Sequence, residues 1–267
     1  MPIYTVQPLD VIPLWALFIV SIAVVFAAVE TGFRLGLCRR RQLEEVKDAA
    51  AGSMVGATFG LLAFMLAFTF GLAASRYENR RALVQEEANA VQTAYLRADF
   101  LAEPYRTEIR AQLREYVKVR VTGIEQKQFG DAIAKSDEIH GRLWTVAVAA
   151  GQKNPGSIMA GLFIQSLNEL IDLHAKRVKA GLRSRIPAVI MYVLYFITVL
   201  AMLSMGYLAG NVGKRNPLVN YALVLAFSSV MFLINDLDRP QEGALSTSQQ
   251  ALIDLRDKKA LPPLEKP

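Results

Sequence analysis

The sequence predicts an all-α, polytopic membrane protein with four transmembrane helices and a helical extramembrane domain between the second and third. Three observations predict it. Four apolar stretches, residues 11–29, 53–74, 186–209 and 218–234, contain no Asp, Glu, Lys or Arg. Each is close to the ~20 helical residues that cross a hydrocarbon core of about 30 Å. Residues 75–185 between the second and third stretches carry the spaced apolar stripes of soluble helices, and no β-type alternation occurs anywhere.

The expected organisation is transmembrane helices 1 and 2 in residues 1–74, a cytosolic helical domain in 75–185, transmembrane helices 3 and 4 in 186–234, and a C-terminal cytosolic tail in 235–267. The first span is interrupted only by Pro13 and Ser21. Residues 1–10 lack a basic n-region and no small-residue cleavage site follows, so the span reads as retained. In the second span Gly52, Gly56 and Gly60 recur every four residues, a spacing that lets helix backbones approach closely in lipid. Residues 59–70 then form a run rich in Phe and Leu.

The insert divides into four helices. Residues 75–101 carry apolar positions at Tyr77, Val84, Ala88, Val91 and Tyr95. Glu103-Pro104 breaks the pattern, since proline belongs in a helix's first turn. Residues 104–121 follow, striped by Ile109, Leu113, Tyr116 and Val117. A turn lies between Gly123 and Gly130, a third helix over 131–150, and a loop over 151–156. Ser157 is an N-cap for a fourth helix running toward residue 185. In the tail, residues 248–259 read as a short amphipathic helix before Pro-rich 261–263.

The chain has 267 residues, is 53% hydrophobic and carries a net charge of +6. That charge lies mostly beside the spans, at Arg34, Arg39, Arg40 and Arg41, at Arg76, Arg80 and Arg81, and at Lys176, Arg177, Lys179, Arg183 and Arg185. Juxtamembrane cations meet lipid headgroups, so membrane lipids rather than nucleic acid are the expected partners. The balance of Lys and Arg favours a cytoplasmic insert, with both termini on the same side. The single cysteine, Cys38, excludes an intrachain disulfide.

No nucleotide-binding glycine loop, GxSxG, HExxH or CxxC is present. No enzyme activity, cofactor or metal site is therefore expected. His140 and His174 are far apart in sequence, and the Glu44-Glu45 and Glu86-Glu87 pairs read as solvated charge. The spans also lack the ionisable residues that proton-coupled transporters place in the membrane. A passive conduit fits better. The densest polar constellation is Asn235, Asp236, Asp238 and Arg239 at the end of the fourth span, a candidate pore mouth or tail anchor.

Three segments resemble the bestrophin-like family of bacterial membrane proteins, within the bestrophin ion-channel group. Residues 66–81 run from an apolar helix into an Ala/Ser, Tyr and Arg-rich stretch, as bestrophin pore helices do. Residues 165–172, with the basic linker and Pro187 after them, are similar to the helix returning to the membrane. Residues 233–240 match the Asn/Asp-Pro cluster where bestrophins leave the fourth helix. The resemblance implies a homopentameric channel of the bacterial inner membrane, conducting inorganic ions passively. It places a hydrophobic neck at Leu62, Leu66 and Phe70 of the second helix, with Gly56, Gly60, Phe64 and Phe68 as the alternative pore face. The chain departs from the animal members in lacking tryptophans after the neck and in reducing the acidic calcium clasp to Asp236 and Asp238. The alternative function is a non-conducting membrane scaffold or sensor with a helical interaction domain.

Overall fold

The computed structural model describes residues 7–42, 49–213, 215–240, 243 and 245–257. The Glu44-Glu45 pair and the Pro-rich 261–263 segment named above lie outside those residues. The described chain forms α1 (Leu14–Gln42), α2 (Ala49–Arg97), α3 (Tyr105–Glu125), α4 (Phe129–Lys153), α5 (Ile158–Leu182), α6 (Ala188–Val212), α7 (Pro217–Asp238) and α8 (Gln250–Asp257). Short 3-10 turns occur at Pro8–Val11 and Ala98–Phe100, and no strand occurs among the described residues. The protein is an all-α polytopic membrane protein, with α1, α2, α6 and α7 long and apolar enough to cross a bilayer.

The stretch expected as a span over 53–74 and a separate helix over 75–101 is one continuous helix, α2, as far as Arg97, with the 3-10 turn Ala98–Phe100 after it. Nothing between Ala74 and Tyr77 interrupts the backbone ladder: residues 75–81 contain neither Gly nor Pro. The chain divides into two compact units, residues 5–77 with 185–246, and residues 78–184 with 247–267. The tail, expected as one segment, is thus shared between them.

In the first unit α1 packs along α6 and against α7. The α1–α6 approach is set by glycines. A Cβ on Gly32 would collide with the Leu203 carbonyl, and one on Gly36 with the Tyr207 carbonyl. From the other side, Gly206 faces the Val29 carbonyl and Gly210 the Phe33 carbonyl. Both helices therefore present a small-xxx-small pair to the same contact, which brings backbone against backbone where no hydrophobic force separates protein from lipid. Gly52, Gly56 and Gly60, the glycines that stand out in the sequence, have no such neighbour within the subunit. The N-terminal part of α2 joins the core through Leu62, Leu66 and Ala73, packed with Met191, Leu194, Ala201, Met231 and Ile234.

In the second unit the C-terminal part of α2 combines with α3, α4, α5 and α8. Val84, Ala88, Val91 and Tyr95 are buried, as are Ile109, Leu113, Tyr116 and Val117 of α3. Phe163, Leu167 and Leu170 bring α5 into the same core, and Leu252 and Leu255 bring α8. Ser157 caps α5 by accepting a hydrogen bond from the Ala160 amide at 3.2 Å. The helix ends at Leu182 rather than near 185, where the residue before Pro187 is pushed toward extended backbone.

Candidate functional site

Three features of the molecule are candidates for a functional site: the exposed face of α2, a buried polar knot in the membrane unit and a buried charge cluster in the helical unit.

On α2, Leu62 is fully buried and Leu66 is 6% exposed. Both pack into the subunit core with Met191, Leu194 and Ile234. Phe70, on the flank of the helix, is 38% exposed. Phe64 and Phe68 are 66% and 54% exposed and stack on one another, ring centroids 6.5 Å apart. Gly56 and Gly60 face open space one and two turns before them. The helix thus has an inner leucine stripe and an outer glycine–phenylalanine stripe.

Asn235, Asp236, Asp238 and Arg239 are all buried within the membrane unit. Asp238 Oδ2 accepts from Arg185 Nε at 2.7 Å, and its Oδ1 accepts from the Ile186 amide at 2.9 Å. Arg185 also donates to both oxygens of Asp10, at 3.0 and 3.1 Å. Arg239 donates to the carbonyls of Ile12 and Leu9 and lies 3.4 Å from Asp10. Asn235 donates to the Tyr195 hydroxyl at 3.3 Å and the Met231 carbonyl at 2.8 Å, and Asp236 accepts from the Leu245 amide at 3.2 Å. Burial alone would raise the Asp10 carboxyl. The Arg185 hydrogen bond, the Gln7 amide and the charges of Arg185 and Arg239 together outweigh it and hold Asp10 below its ordinary value. Asp10 and Arg185, which no sequence motif marked, complete the knot.

The cluster in the helical unit centres on Glu87. Expected as solvated charge, it is fully buried. Arg120 of α3 lies 3.2 Å from its Oε1, and Arg177 of α5 pairs with its Oε2. The Tyr116 hydroxyl donates to Glu87 Oε1, and Arg177 also donates to Gln249. Burial pushes the Glu87 carboxyl up, but Arg120 and then Arg177 hold it well below the usual carboxylate range. The signal for this burial was positional: Glu87 sits three residues after Val84 and four before Val91, on the apolar stripe of α2.

The two histidines, remote in sequence, meet beside this cluster. Their ring centroids are 4.9 Å apart. His174 Nδ1 lies 3.2 Å from the Tyr116 hydroxyl, and its Nε2 lies 3.4 Å from Asp137 Oδ1. Burial, and then His174, push the His140 ring down to about 4. The folded ring therefore binds its proton less readily than an unfolded one. His140 contributes stability that is complete above its ordinary 6.5 and lost as pH falls toward 4. At 1.36 kcal/mol per unit the loss is about 3 kcal/mol. Glu87 has the same sign and adds its loss below 4.5. Thermal melts of the purified protein should fall steadily from pH 6.5 to 4; a flat profile would contradict the buried neutral ring.

Residues 17–252 match the Bestrophin-like domain family. No curated protein matches the sequence. Among solved structures, the chain is similar to a tyrosine-to-alanine variant of a bacterial Bestrophin homolog from Klebsiella pneumoniae. The TM-score is 0.68 at 15% identity, covering 91% of this chain and 97% of the other. An aspartate-to-alanine variant of the same homolog gives 0.66 at 16% identity, covering 92% and 96%. The form solved by zinc anomalous phasing gives 0.66 at 15% identity, also covering 92% and 96%. At these identities the likeness is one of fold.

Proposed function

This chain belongs to the bestrophin-like family, and from that premise we propose that it is an oligomeric ion channel rather than an enzyme. It is a homopentamer of the bacterial inner membrane that conducts inorganic ions passively, with the helical unit and both termini in the cytoplasm. The outer stripe of α2 faces the axis. The observation that carries this assignment is the division of α2: Leu62 and Leu66 are consumed by the subunit core, which leaves Gly56, Gly60, Phe64 and Phe68. The glycines let copies of α2 approach closely around the axis. Phe64 and Phe68, in mid-span, form an apolar constriction that passes ions only when wetted. The knot at Asn235, Asp236, Asp238 and Arg239 anchors the tail instead of forming the mouth, because each side chain is already engaged. Exposed Arg34 and Arg39, at the end of α1 opposite the termini, meet lipid headgroups.

Planar-bilayer recording under asymmetric salt tests this reading. Wild-type protein should give unitary currents. The Phe64→Ala, Phe68→Ala double variant should conduct several-fold more. Leu62→Ala should leave conductance unchanged while costing about 2–5 kcal/mol of stability through the cavity it opens. A gain in current from Leu62→Ala alone would restore the leucine face to the pore. A monomeric mass in mild detergent, with silent bilayers, would overturn the channel in favour of the non-conducting scaffold.

A further inference from the structure

The geometry points to a binding site for a zinc-class divalent transition-metal ion, formed by Asp137 and His140 of α4 and His174 of α5. One donor atom from each lies within 4.8 Å of the other two. Asp137 and His140 stand three residues apart, hence on one face of α4. The expectation of no metal ligands rested on separation along the chain, which the packing of α4 on α5 removes.

Two observations indicate a ligand. First, the Nε2 atoms of both histidines are buried with no hydrogen-bond partner, while the rings are 6% and 4% exposed. Buried polar atoms in folded proteins are partnered in the great majority of cases. Second, the proton positions leave one of those nitrogens bare. Tyr116 has a single hydroxyl proton, and it is given to the Glu87 carboxylate. The Tyr116 oxygen must then accept from His174, which puts that ring's proton on Nδ1 at 3.2 Å. His174 Nε2 is left with a lone pair directed to the neighbourhood of Asp137 Oδ1, 3.4 Å away. Two acceptors facing one another repel unless a cation, either a metal ion or a second ring proton, lies between them.

The surroundings are those of a built metal site. Metal-bound histidines donate their other N–H to a carboxylate, carbonyl or water, which fixes the tautomer. Here that role runs from His174 through Tyr116 to Glu87. Two nitrogens and one carboxylate oxygen form a donor set for Zn²⁺ and its first-row neighbours, not for Ca²⁺ or Mg²⁺, which take oxygen. Asp137 is 65% exposed, so the site opens to solvent on its side and leaves room for a water as fourth ligand. The charges of Arg120 and Arg177 nearby are matched by Glu87 and Asp137.

These are the chain's only two histidines, which makes the test direct. Full-length protein purified without a histidine tag and stripped with chelator would be titrated with Co²⁺, then with Zn²⁺ as competitor. One Co²⁺ per chain is expected, with visible d–d absorption of tetrahedral intensity that Zn²⁺ abolishes. Zn²⁺ alone should raise the melting temperature. His174→Gln and His140→Gln should remove the absorption. Tyr116→Phe should weaken binding roughly 10- to 100-fold, as loss of an outer-shell partner does. Asp137→Asn alters an exposed side chain without threatening the fold and should weaken Co²⁺ binding at least about tenfold, as is typical of a lost ligand contact. Cobalt binding unchanged in Asp137→Asn and His174→Gln, or no uptake by folded wild-type protein, would overturn the site.

Discussion

Glu87→Gln lowers the melting temperature of this protein by about 10 °C. Removing one partner from a buried ion pair costs about 3–5 kcal/mol, and each kcal/mol moves the midpoint of a chain this size by roughly 2–4 °C. The cost arises because Arg120 and Arg177 lose their shared counter-charge while Arg120 stays buried and Arg177 largely so. The neutral amide keeps the shape and some hydrogen bonds, so the effect isolates charge. Glu86→Gln, one residue away on the exposed face of the same helix, should stay within ±0.5 kcal/mol of wild type. Paired melts of the two variants in one detergent check this. Similar midpoints would mean that Glu87 is not the charge that α3 and α5 close upon.

The second large effect is at the α1–α6 crossing. Gly206→Val should cost about 3 kcal/mol, the upper end for overpacking, and lower the yield of folded protein. No side-chain rotation relieves the clash, because the obstacle is the Val29 backbone carbonyl. Gly32→Val should behave alike against the Leu203 carbonyl. Gly56→Ala and Gly60→Ala meet nothing within the subunit, so they should leave the subunit's melting unchanged and act only on assembly or current. Size-exclusion profiles and melts of the four variants separate the two groups. Equal damage from all four would mean that α2 packs against its own subunit more tightly than the structure shows.

Much of the fold was legible because it depends on local pattern. Four uncharged apolar runs mark the spans, Ser157 marks a helix start, and Tyr95, Val91 and Val84 mark the buried stripe of α2. The bestrophin-like resemblance was legible for the same reason, since its three segments are contiguous in sequence. What depends on contact between distant residues was not. Glu86 and Glu87 look alike as a dipeptide, and only helix phase puts one in water and the other against two arginines. His140 and His174 meet because α4 packs on α5. Gly52, Gly56 and Gly60 stood out in the sequence while Gly32–Gly36 and Gly206–Gly210 passed unmarked, because spacing alone does not tell a pair that grips a neighbour from one that faces outward, as Gly56 and Gly60 do. The two faces of α2 show the same limit: Leu62 and Leu66 share a face, but the sequence does not say which face turns inward.

Helix α8 carries a consequence for the order in which the chain matures. Leu252 and Leu255 lie in the core of the helical unit, and Gln249 completes the partners of Arg177. Those residues follow α6 and α7 in the sequence, so the ribosome makes them only after both later spans. At synthesis rates of about 5–20 residues per second, α2 to α5 wait several seconds or more for the piece that closes them. During that interval Glu87 and its arginines are held by an unfinished bundle with part of its apolar core open. The nascent protein is therefore most exposed to proteases and misassociation while its later spans are being inserted, and a chain stopped at residue 246 would never leave that state.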